Sequence, residues 1–331
     1  IVNDIWTIQA ALDWTVGYLE RKGDENPRLS AQWLLSEATG LSRIELYANF
    51  EQPLSMEERD VLRAYVTRRG KGEPLQYITG EVGFRHITVK VRPGVLIPRP
   101  ETEVLVSEAL ALLPAAPKRV AQHAWPEDDL PPVPWPEGEA GEQRPERTAD
   151  QGVAEDESTP AVASGEPAPE PPELLVADLC TGSGCIACSV AYEHPLARVV
   201  ATDIVPEAVA LARDNVAALE LGDRVEVLSC DLGEGVDPTL MGAFDLVVSN
   251  PPYVPTAVMD DIPREVAEFE PALAPWCRRA LKEGGGFAFE LHETCLDEAA
   301  RLAEEAGFSD VRVTADLAGR PRVLTARKRA V

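Results

Sequence analysis

Apolar residues recur at helical spacing along the N-terminal part of the chain. The first such helix carries four of them on one face, at Ile8, Leu12, Val16 and Leu19. Asn26 and Pro27 form a typical helix start, and Gly40 follows as a stop signal. Ser42 and Ser55 are each followed three residues later by glutamate, which is the spacing of a capping box. We therefore predict that residues 1–72 form an N-terminal helical domain.

The hydrophobic period changes between residues 73 and 113. Residues 76–80 and 87–91 are rich in β-branched and aromatic side chains and have glycines between them, a pattern that predicts a β-hairpin. Pro98 and Pro100 then make the chain stiff and extended, and a helix is predicted from about residue 101 to residue 113. We interpret 73–113 as a hairpin connector and the first helix of the next domain.

Residues 114–172 differ from the rest of the chain in composition. They hold 13 of its 29 prolines, few aliphatic residues and a net charge of −9. Such a segment buries too little apolar surface to offset the entropy lost on ordering. We predict an acidic, proline-rich, disordered insertion, which is better explained as a tolerated surface insertion than as a binding motif around Trp125 and Trp135.

Strands and helices alternate over residues 173–331. Buried strands are predicted at 174–179, 198–203, 224–231, 244–249 and 286–291, a helix at 294–306, and final strands around 311–313 and 322–325. Repeated strand–helix units predict an α/β fold, in which helices cover both faces of a parallel sheet. A ligand is expected outside the carboxyl ends of the strands.

Charge and cysteine content exclude several classes of protein. The 331 residues carry a formal net charge of −25, so a surface that follows a phosphate backbone is not expected, nor is direct nucleic-acid binding. Six cysteines do not make a disulfide scaffold in a chain of this length, and no apolar run is long enough to span a bilayer. With no signal-peptide pattern, we expect a cytoplasmic protein without membrane contact.

A glycine-rich turn, Thr181-Gly182-Ser183-Gly184, follows the strand at 174–179 and opens a helix. Gly182 begins a G-x-G-x-x-A sequence, and Asp203 lies 21 residues after it, at the end of the next strand. Glycines there let a ligand approach the backbone, and a carboxylate at that strand end accepts both hydroxyls of a ribose. The pattern indicates an adenosine-containing ligand, either a nicotinamide dinucleotide or S-adenosyl-L-methionine.

Four residues, Asn250, Pro251, Pro252 and Tyr253, follow the buried strand at 244–249. Proline lacks an N–H group and has a fixed φ, so two successive prolines end the strand in a rigid extended turn. The Asn250 oxygen and a proline carbonyl can each accept one hydrogen of a planar –NH2 group, while the Tyr253 ring packs on its face. The turn is therefore a candidate catalytic site.

Cysteine and histidine positions do not indicate a metal site. Cys180, Cys185 and Cys188 have the spacing of ferredoxin ligands, but a strand–helix turn already explains these positions, where thiols pack as small hydrophobic groups. The four histidines show no ligand spacing. His292 follows a predicted strand and is a candidate to line the site.

Outside residues 114–172, the whole chain resembles the release factor glutamine methyltransferases, which are protein-(glutamine-N5) methyltransferases. The motifs that carry the resemblance are Asn26-Pro27-Arg28 with 31–35, and the stretches 73–80, 95–103, 178–184 and 250–253. Pro-Leu-Gln-Tyr at 74–77 and Ile-Pro-Arg-Pro-Glu-Thr-Glu at 97–103 are specific to this family and its ribosomal-protein sibling. The Asn-Pro-Pro-Tyr turn alone is shared with adenine-amine methyltransferases.

The resemblance implies a class I, Rossmann-like methyltransferase domain, S-adenosyl-L-methionine as cofactor and peptide chain release factors as protein substrates. It implies a cofactor site formed by Cys180, Thr181, Gly182, Ser183, Gly184, Asp203, Asp231, Leu232 and Asn250. In that site Asp203 would hold the ribose, and Asp231 and Leu232 would flank the adenine. The substrate glutamine would lie against Asn250, Pro251, Pro252 and Tyr253. We expect a monomer without a metal ion.

The chain departs from the family pattern at several positions. Cys180 stands where many relatives have glycine, and Leu232 replaces an aromatic residue of some relatives. The stretch 271–285 is short, so part of the crossover between the strands at 244–249 and 286–291 is missing. A catalytically impaired binding protein therefore stays an alternative. So do a ribosomal-protein glutamine methyltransferase, an adenine-amine nucleic-acid methyltransferase and an NAD-dependent dehydrogenase, although the last needs a proton donor where Asn250 stands.

Overall fold

The computed structural model describes residues 6–116, 172–252 and 269–330. Tyr253 and nearly all of the insertion predicted at 114–172 lie outside the described residues, so the prediction of disorder there stays a prediction. The chain on the two sides of the insertion, Ile1–Ala116 and Glu173–Val331, groups by its contacts into one unit.

Helices occupy most of the described chain up to residue 79. They are α1 (Ile8–Arg21), α2 (Pro27–Thr39), α3 (Arg43–Ala48), α4 (Met56–Arg69) and α5 (Leu75–Thr79). Both predicted capping boxes are present, because Ser42 and Ser55 each exchange hydrogen bonds with the glutamate three residues later. Apolar side chains from these helices form a core of their own, which includes Ile8, Leu34 and Leu46.

One predicted strand is wrong. Residues 76–80 are not the first arm of the hairpin, because Leu75–Thr79 is helical and Gly80 ends the helix at a φ of 81°. Burial of Ile78 in the core of the helical region overrides the strand propensity of this segment. The hairpin instead pairs β1 (Glu81–Phe84) with β2 (Ile87–Lys90).

A seven-stranded sheet forms the second part of the fold. Its strands are β3 (Leu174–Leu179), β4 (Ala197–Asp203), β5 (Val225–Ser229), β6 (Phe244–Ser249), β7 (Leu281–Glu290), β8 (Phe308–Ala315) and β9 (Pro321–Lys328). They lie in the order β5-β4-β3-β6-β7-β9-β8, in which β3 to β7 run parallel and β9 runs antiparallel to both of its neighbours, β7 and β8. The predicted α/β class is confirmed, and the antiparallel edge makes the sheet mixed.

Helices cover both faces of this sheet. One face packs against α6 (Pro100–Leu112), α7 (Cys185–Glu193) and α8 (Pro206–Ala218), and the other against α9 (Phe269–Ala280) and α10 (Leu296–Glu305). α6 lies close to β7, where a Cβ added at Gly286 would approach Leu112 to 3.1 Å. Arg327 in β9 also donates to the Leu112 carbonyl at 2.8 Å. No helix within the described ranges is both long and apolar enough to cross a membrane.

The shortened stretch at 271–285 still connects the fourth and fifth strands. α9 ends at Ala280 and passes directly into β7 at Leu281. β7 pairs with β6 from Leu246 to Ser249, with an irregularity before Leu246. Trp276 of α9 packs tightly on Gly233, where a Cβ would lie 2.1 Å from the indole ring, so this contact depends on glycine. The crossover thereby also supports the loop after β5.

Candidate functional site

A cavity of about 630 Å³ opens at the carboxyl ends of β3, β4, β5 and β6. The chain adds β4 and β5 on one side of β3 and then adds β6 on the other side. Such a switch point leaves a crevice for a ligand at the carboxyl ends of the strands. Among the predicted site residues, those that line the cavity are Cys180, Thr181, Gly182, Ser183, Asp203, Asp231, Leu232, Asn250, Pro251 and Pro252. Gly184 lies behind the lining, and Tyr253 lies outside the described residues.

The glycine loop after β3 turns sharply into α7. Gly182 and Gly184 have φ values of 59° and 79°, which glycine adopts without a steric penalty. A Cβ at Gly184 would come within 3.2 Å of the Ala212 backbone in α8, so close packing also requires glycine there. Cys180 has a φ of 59°, and for a residue with a side chain this conformation costs about 1 kcal/mol or more. Cysteine at position 180 therefore has a conformational cost that glycine would not have.

Asp178 supports the loop from inside the protein, where it is fully buried. Its Oδ2 accepts hydrogen bonds from Thr181 Oγ1 at 2.6 Å and from the Ala187 N–H at 3.1 Å. Its Oδ1 is buried and has no hydrogen-bond partner in the part of the chain that is described. Burial raises the pKa of Asp178 to about 7, although the two hydrogen bonds oppose this rise and the nearby Asp203 charge adds to it.

Asn215 in α8 joins the loop to the hairpin. Its Nδ2 donates to the Ser183 carbonyl at 2.8 Å and to the Lys90 carbonyl at 3.0 Å, and its Oδ1 accepts from the Lys90 N–H at 2.7 Å. The side chain is buried. Sequence reasoning missed this residue, and its only signal is a polar position on the apolar face of α8, between Ala212 and Val216.

Asp203 ends β4 and faces the cavity. Its Oδ2 accepts from the Gly182 N–H at 2.8 Å, and its Oδ1 accepts from the Val205 N–H at 2.9 Å. These two bonds fix the orientation of the carboxylate, and each oxygen keeps a lone pair for a donor in the cavity. Asp231 and Leu232, from the loop after β5, line the cavity too.

Asn250 follows β6 and reaches across the cavity to α6. Its Nδ2 donates to Oγ1 of Thr102 at 3.1 Å. Its Oδ1 is buried and makes no hydrogen bond to any residue that the structure describes. A buried carbonyl oxygen left unpaired costs about 1–3 kcal/mol. Asn250 and Pro251 line this corner of the cavity, and the unpaired oxygen lies within its wall.

The wall opposite the sheet comes from the connector, which the sequence patterns did not place at the site. It is formed by Gly94, Val95, Leu96, Pro98, Arg99 and Thr102. The Tyr77 hydroxyl donates to the Val95 carbonyl at 2.8 Å, so α5 of the helical region holds this wall in place. Glu290 at the end of β7 also lines the cavity. The sequence signals in this segment were the stiffness given by Pro98 and Pro100 and the family motif at 95–103, and neither indicated contact with the cavity.

The cysteine thiols near the cavity are poor ligands and nucleophiles. Burial raises the pKa of Cys180 and of Cys185 to about 12, so both stay protonated at neutral pH. Across the described ranges, no three histidine, cysteine or acidic side chains are grouped so that they could hold a metal ion. His292 bonds to Thr294 through Nδ1 and is not among the described residues that line the cavity.

Comparison with known proteins gives matches at both ends of the chain. The model of the PrmC N-terminal domain matches residues 10–80, and that of the methyltransferase small domain matches residues 167–289. A crystal structure of the release-factor-specific protein-(glutamine-N5) methyltransferase of Alicyclobacillus acidocaldarius is 28% identical and covers 73% of this chain and 99% of its own. Its TM-score of 0.36 is too low to support an argument about geometry.

Two full-length relatives are similar to almost the whole chain. The release factor glutamine methyltransferase of Geobacter sulfurreducens is 37% identical over 305 residues, 92% of this chain and 83% of its own length. That of Rhodopirellula baltica is 33% identical over 98% of this chain and 97% of its own. On this similarity the chain belongs to the release factor glutamine methyltransferase family.

Proposed function

We propose that this protein transfers a methyl group from S-adenosyl-L-methionine to the side-chain amide nitrogen of a glutamine in the Gly-Gly-Gln loop of peptide chain release factors. Family membership supports the reaction class. The observation that carries the proposal is Oδ1 of Asn250, a buried acceptor in the same cavity as the glycine loop and Asp203. An N–H donor bound to it lies beside any ligand that the glycine loop holds.

The cavity fits S-adenosyl-L-methionine better than a nicotinamide dinucleotide. Asp203 keeps lone pairs for two ribose hydroxyls, and Leu232 offers an apolar surface to an adenine ring. A dinucleotide also needs free loop N–H groups for its diphosphate. Here the Gly182 N–H bonds to Asp203, and the Gly184 N–H bonds to the Thr181 carbonyl at 2.9 Å. These amides are already engaged, which favours the ligand without a diphosphate.

The bound cofactor would supply an electrophilic methyl group next to the acceptor corner. An amide nitrogen is a weak nucleophile because its lone pair is delocalised into the carbonyl group, so its orientation matters. In this proposal the Asn250 oxygen and the Pro251 carbonyl accept its two N–H bonds and aim the nitrogen. Positioning of this kind lowers a barrier by at most about 7–11 kcal/mol. The same two acceptors favour the positive charge that develops on the nitrogen. As the new C–N bond forms, the S–CH3 bond would break to leave a neutral thioether, and the nitrogen would then lose one proton to solvent.

The proposal also names the protein substrate, the compartment and the role of each segment of the chain. Release factors are the protein substrates, and the cytoplasm is where the protein meets them. Residues 1–72 act as the helical domain, 73–113 as the connector that forms one wall of the cavity, and 173–331 as the methyltransferase domain. The N-terminal family match over residues 10–80 supports a separate module at that end. We expect the protein to act as a monomer.

A transfer assay tests the proposal directly. Labelled S-adenosyl-L-methionine is offered with a release factor, with the same factor after its Gly-Gly-Gln glutamine is replaced by alanine, with ribosomal protein, and with DNA. Label on the first factor and not on its alanine variant is the expected result. Label on ribosomal protein would move the protein to the sibling activity, and label on adenine would overturn the proposal. Calorimetry that shows binding of NAD and not of S-adenosyl-L-methionine would overturn the cofactor assignment.

A further inference from the structure

We infer that Asp178 couples cofactor binding to proton release: it holds a proton beneath the glycine loop until a positively charged ligand binds in the cavity, and then gives that proton to solvent. The inference rests on the proposed function, because it takes this cavity as the site of S-adenosyl-L-methionine. It makes Asp178 a residue that distinguishes the cationic cofactor from the product left after methyl transfer, which has no net charge.

Asp178 is a buried carboxyl group without a cation beside it. Its side chain is 0% exposed, and its Oδ2 accepts from the Thr181 hydroxyl at 2.6 Å and from the Ala187 N–H at 3.1 Å. Its Oδ1 has no hydrogen-bond partner among the residues that the structure describes. A buried carboxylate without a paired cation is costly, so the neutral form is favoured. Burial accordingly raises the pKa of Asp178 to about 7.

A second carboxyl group lies on the other side of the same loop. Asp203 accepts from the Gly182 N–H at 2.8 Å, and Thr181, the residue before Gly182, donates to Asp178. After burial, which has the larger effect, the charge of Asp203 raises the pKa of Asp178 further. Two like charges across one loop repel each other, so Asp178 keeps its proton while Asp203 is charged.

No cation in the part of the chain that the structure describes acts on the pKa of Asp178. Its register partners in the neighbouring strands, Ala201 in β4 and Val248 in β6, do not titrate. Asp231 after β5 and Glu290 at the end of β7 line the cavity, but both are acidic. A positive charge that would hold Asp178 in its ionised form must therefore come from a ligand.

The other titratable groups around Asp178 are thiols. Burial raises the pKa of Cys180 and of Cys185 to about 12 and raises that of Cys188 as well, so all three stay neutral. An ionised Asp178 adds to the rise at each of them. Since Cys180 and Cys185 line the cavity, the charge of Asp178 acts on the space that a ligand would occupy.

S-adenosyl-L-methionine carries the charge that this arrangement lacks. Its sulfonium and ammonium groups outweigh its single carboxylate, whereas S-adenosyl-L-homocysteine, the product, has lost the sulfonium charge and is neutral overall. A positive charge in the cavity favours the ionised form of Asp178 and lowers its pKa. Because linkage is reciprocal, the cofactor then binds more tightly as the pH rises, by up to about tenfold for a shift of one pKa unit. The product gains much less.

The test counts the protons that leave when the cofactor binds. Parent protein is titrated calorimetrically with S-adenosyl-L-methionine at pH 6.5 in two buffers of different ionisation enthalpy. If the pKa of Asp178 falls from about 7 to about 6, we expect release of about half a proton per site, and a Kd that falls about fivefold between pH 5 and pH 7. S-adenosyl-L-homocysteine, which has the same amino and carboxylate groups, is the control ligand and should release far less.

Asp178→Asn is the matched variant, since asparagine has nearly the same shape and does not titrate. We expect it to release no more protons with the cofactor than with the product, and its Kd for the cofactor to stay within about twofold from pH 5 to pH 7. If this variant does not fold, as judged by thermal unfolding, Thr181→Val decides. That change removes a hydrogen bond that favours the ionised form of Asp178, so the pH of maximal proton release should rise by about one unit.

Several outcomes would overturn the inference. One is equal proton release with cofactor and product. Another is release by Asp178→Asn that equals the release by the parent, which would assign the proton to a different group, and a third is an unchanged pH of maximal release in Thr181→Val. Cofactor binding without proton release would refute the inference and leave the proposed function standing. Parent protein that binds no S-adenosyl-L-methionine at any pH would refute the proposed function, and the inference with it.

Discussion

Two buried oxygens near the cavity, one of a carboxyl group and one of an amide, differ in their chemistry. Asp178 Oδ1 lies under the glycine loop and Asn250 Oδ1 lies at the end of β6, and neither has a hydrogen-bond partner among the residues described. Burial disfavours the charged form of Asp178 and raises its pKa to about 7, so this carboxyl group can take up a proton. An amide oxygen cannot do so at neutral pH. It needs a donor from another molecule.

This difference matches a division of the cavity into two halves, one that we propose for the cofactor (the cofactor half) and one that we propose for the substrate amide (the acceptor half). Beside the proposed cofactor half, Asp178, Asp203 and Asn215 each bind two or more groups of the surrounding chain. In the proposed acceptor half, Asn250 has one described hydrogen bond, to Thr102, and its oxygen is unpaired among the described residues. On this proposal the chain itself preorganises the cofactor half, whereas the substrate completes the acceptor half. Four changes test this division.

The largest effect is expected from Asn250→Ala. The change removes one of the two acceptors that orient the substrate nitrogen, and losing such a contact typically lowers kcat by about 10²–10³-fold. Affinity for S-adenosyl-L-methionine, measured by calorimetry on the same sample, should stay within about twofold of the parent value. A variant that loses cofactor binding to the same extent as turnover would show that the two halves are not separate.

Asp203→Ala should act on the proposed cofactor half of the cavity. It removes a charged acceptor for the ribose and also releases the Gly182 N–H, and a hydrogen bond to a charged group contributes about 1.5–3 kcal/mol. We expect the Kd for S-adenosyl-L-methionine to rise about 10–150-fold, with kcat at saturating cofactor much less affected. Equilibrium binding and saturation kinetics measure the two effects separately, and an unchanged Kd would remove Asp203 from the cofactor site.

Because the pKa of Asp178 is raised, the stability of the parent protein should depend on pH in a way that the stability of Asp178→Asn does not. Its pKa is higher in the folded protein than in the unfolded chain, so the folded state binds the proton more tightly. The stability that this tighter proton binding gives to the folded state is fully present below about pH 4 and is lost as the pH rises through about 7. Relative to Asp178→Asn, the parent protein should lose about 1.4 kcal/mol of unfolding free energy per pH unit between pH 5 and pH 7. Urea unfolding at several pH values measures this, and parallel pH profiles would contradict it.

Of the four changes, Asn215→Ala should have the smallest effect, and Asp214→Ala at the neighbouring position is its control. Asn215 is buried and satisfies the Ser183 carbonyl and both backbone groups of Lys90, so its loss should cost about 1–3 kcal/mol of unfolding free energy. Asp214 makes an ion pair with Arg92 in which both side chains are about half exposed, and such pairs contribute about 0–1 kcal/mol. Equal losses in the two variants would mean that Asn215 does not hold the loop.

Local patterns predicted that the glycine turn and Asp203 lie close together, and both line the cavity. The glycine turn, the strand before it and Asp203 at the next strand end lie close together in the sequence, and their spacing fixes their relation in any parallel strand–helix unit. The capping boxes at Ser42 and Ser55 were predictable for the same reason, because each is completed within one helical turn. These features need no knowledge of how distant segments pack.

Features that depend on distant segments were not predicted. The cavity wall at 94–99 lies far in sequence from the strands that it faces. The hydrogen bond from Asn250 to Thr102 and the bonds between Asn215 and Lys90 also join distant segments. Side-chain propensity predicts a strand at 76–80, whereas burial of Ile78 in the core of the helical region makes Leu75–Thr79 a helix. Propensity is a weak guide wherever tertiary contacts select the conformation.

The contact of α6 with β7 and β9 has a consequence for synthesis on the ribosome. The segment that forms one wall of the cavity, residues 94–102, is made early, but Leu112 in the helix that carries it packs near Gly286 and bonds to Arg327, which are made last. A nascent chain that ends before β7 must expose the apolar side of α6, and closing so long a loop slows folding. The cavity can therefore be completed only after nearly the whole chain has emerged, which makes cofactor binding a late event in the maturation of this enzyme and exposes truncated chains to aggregation.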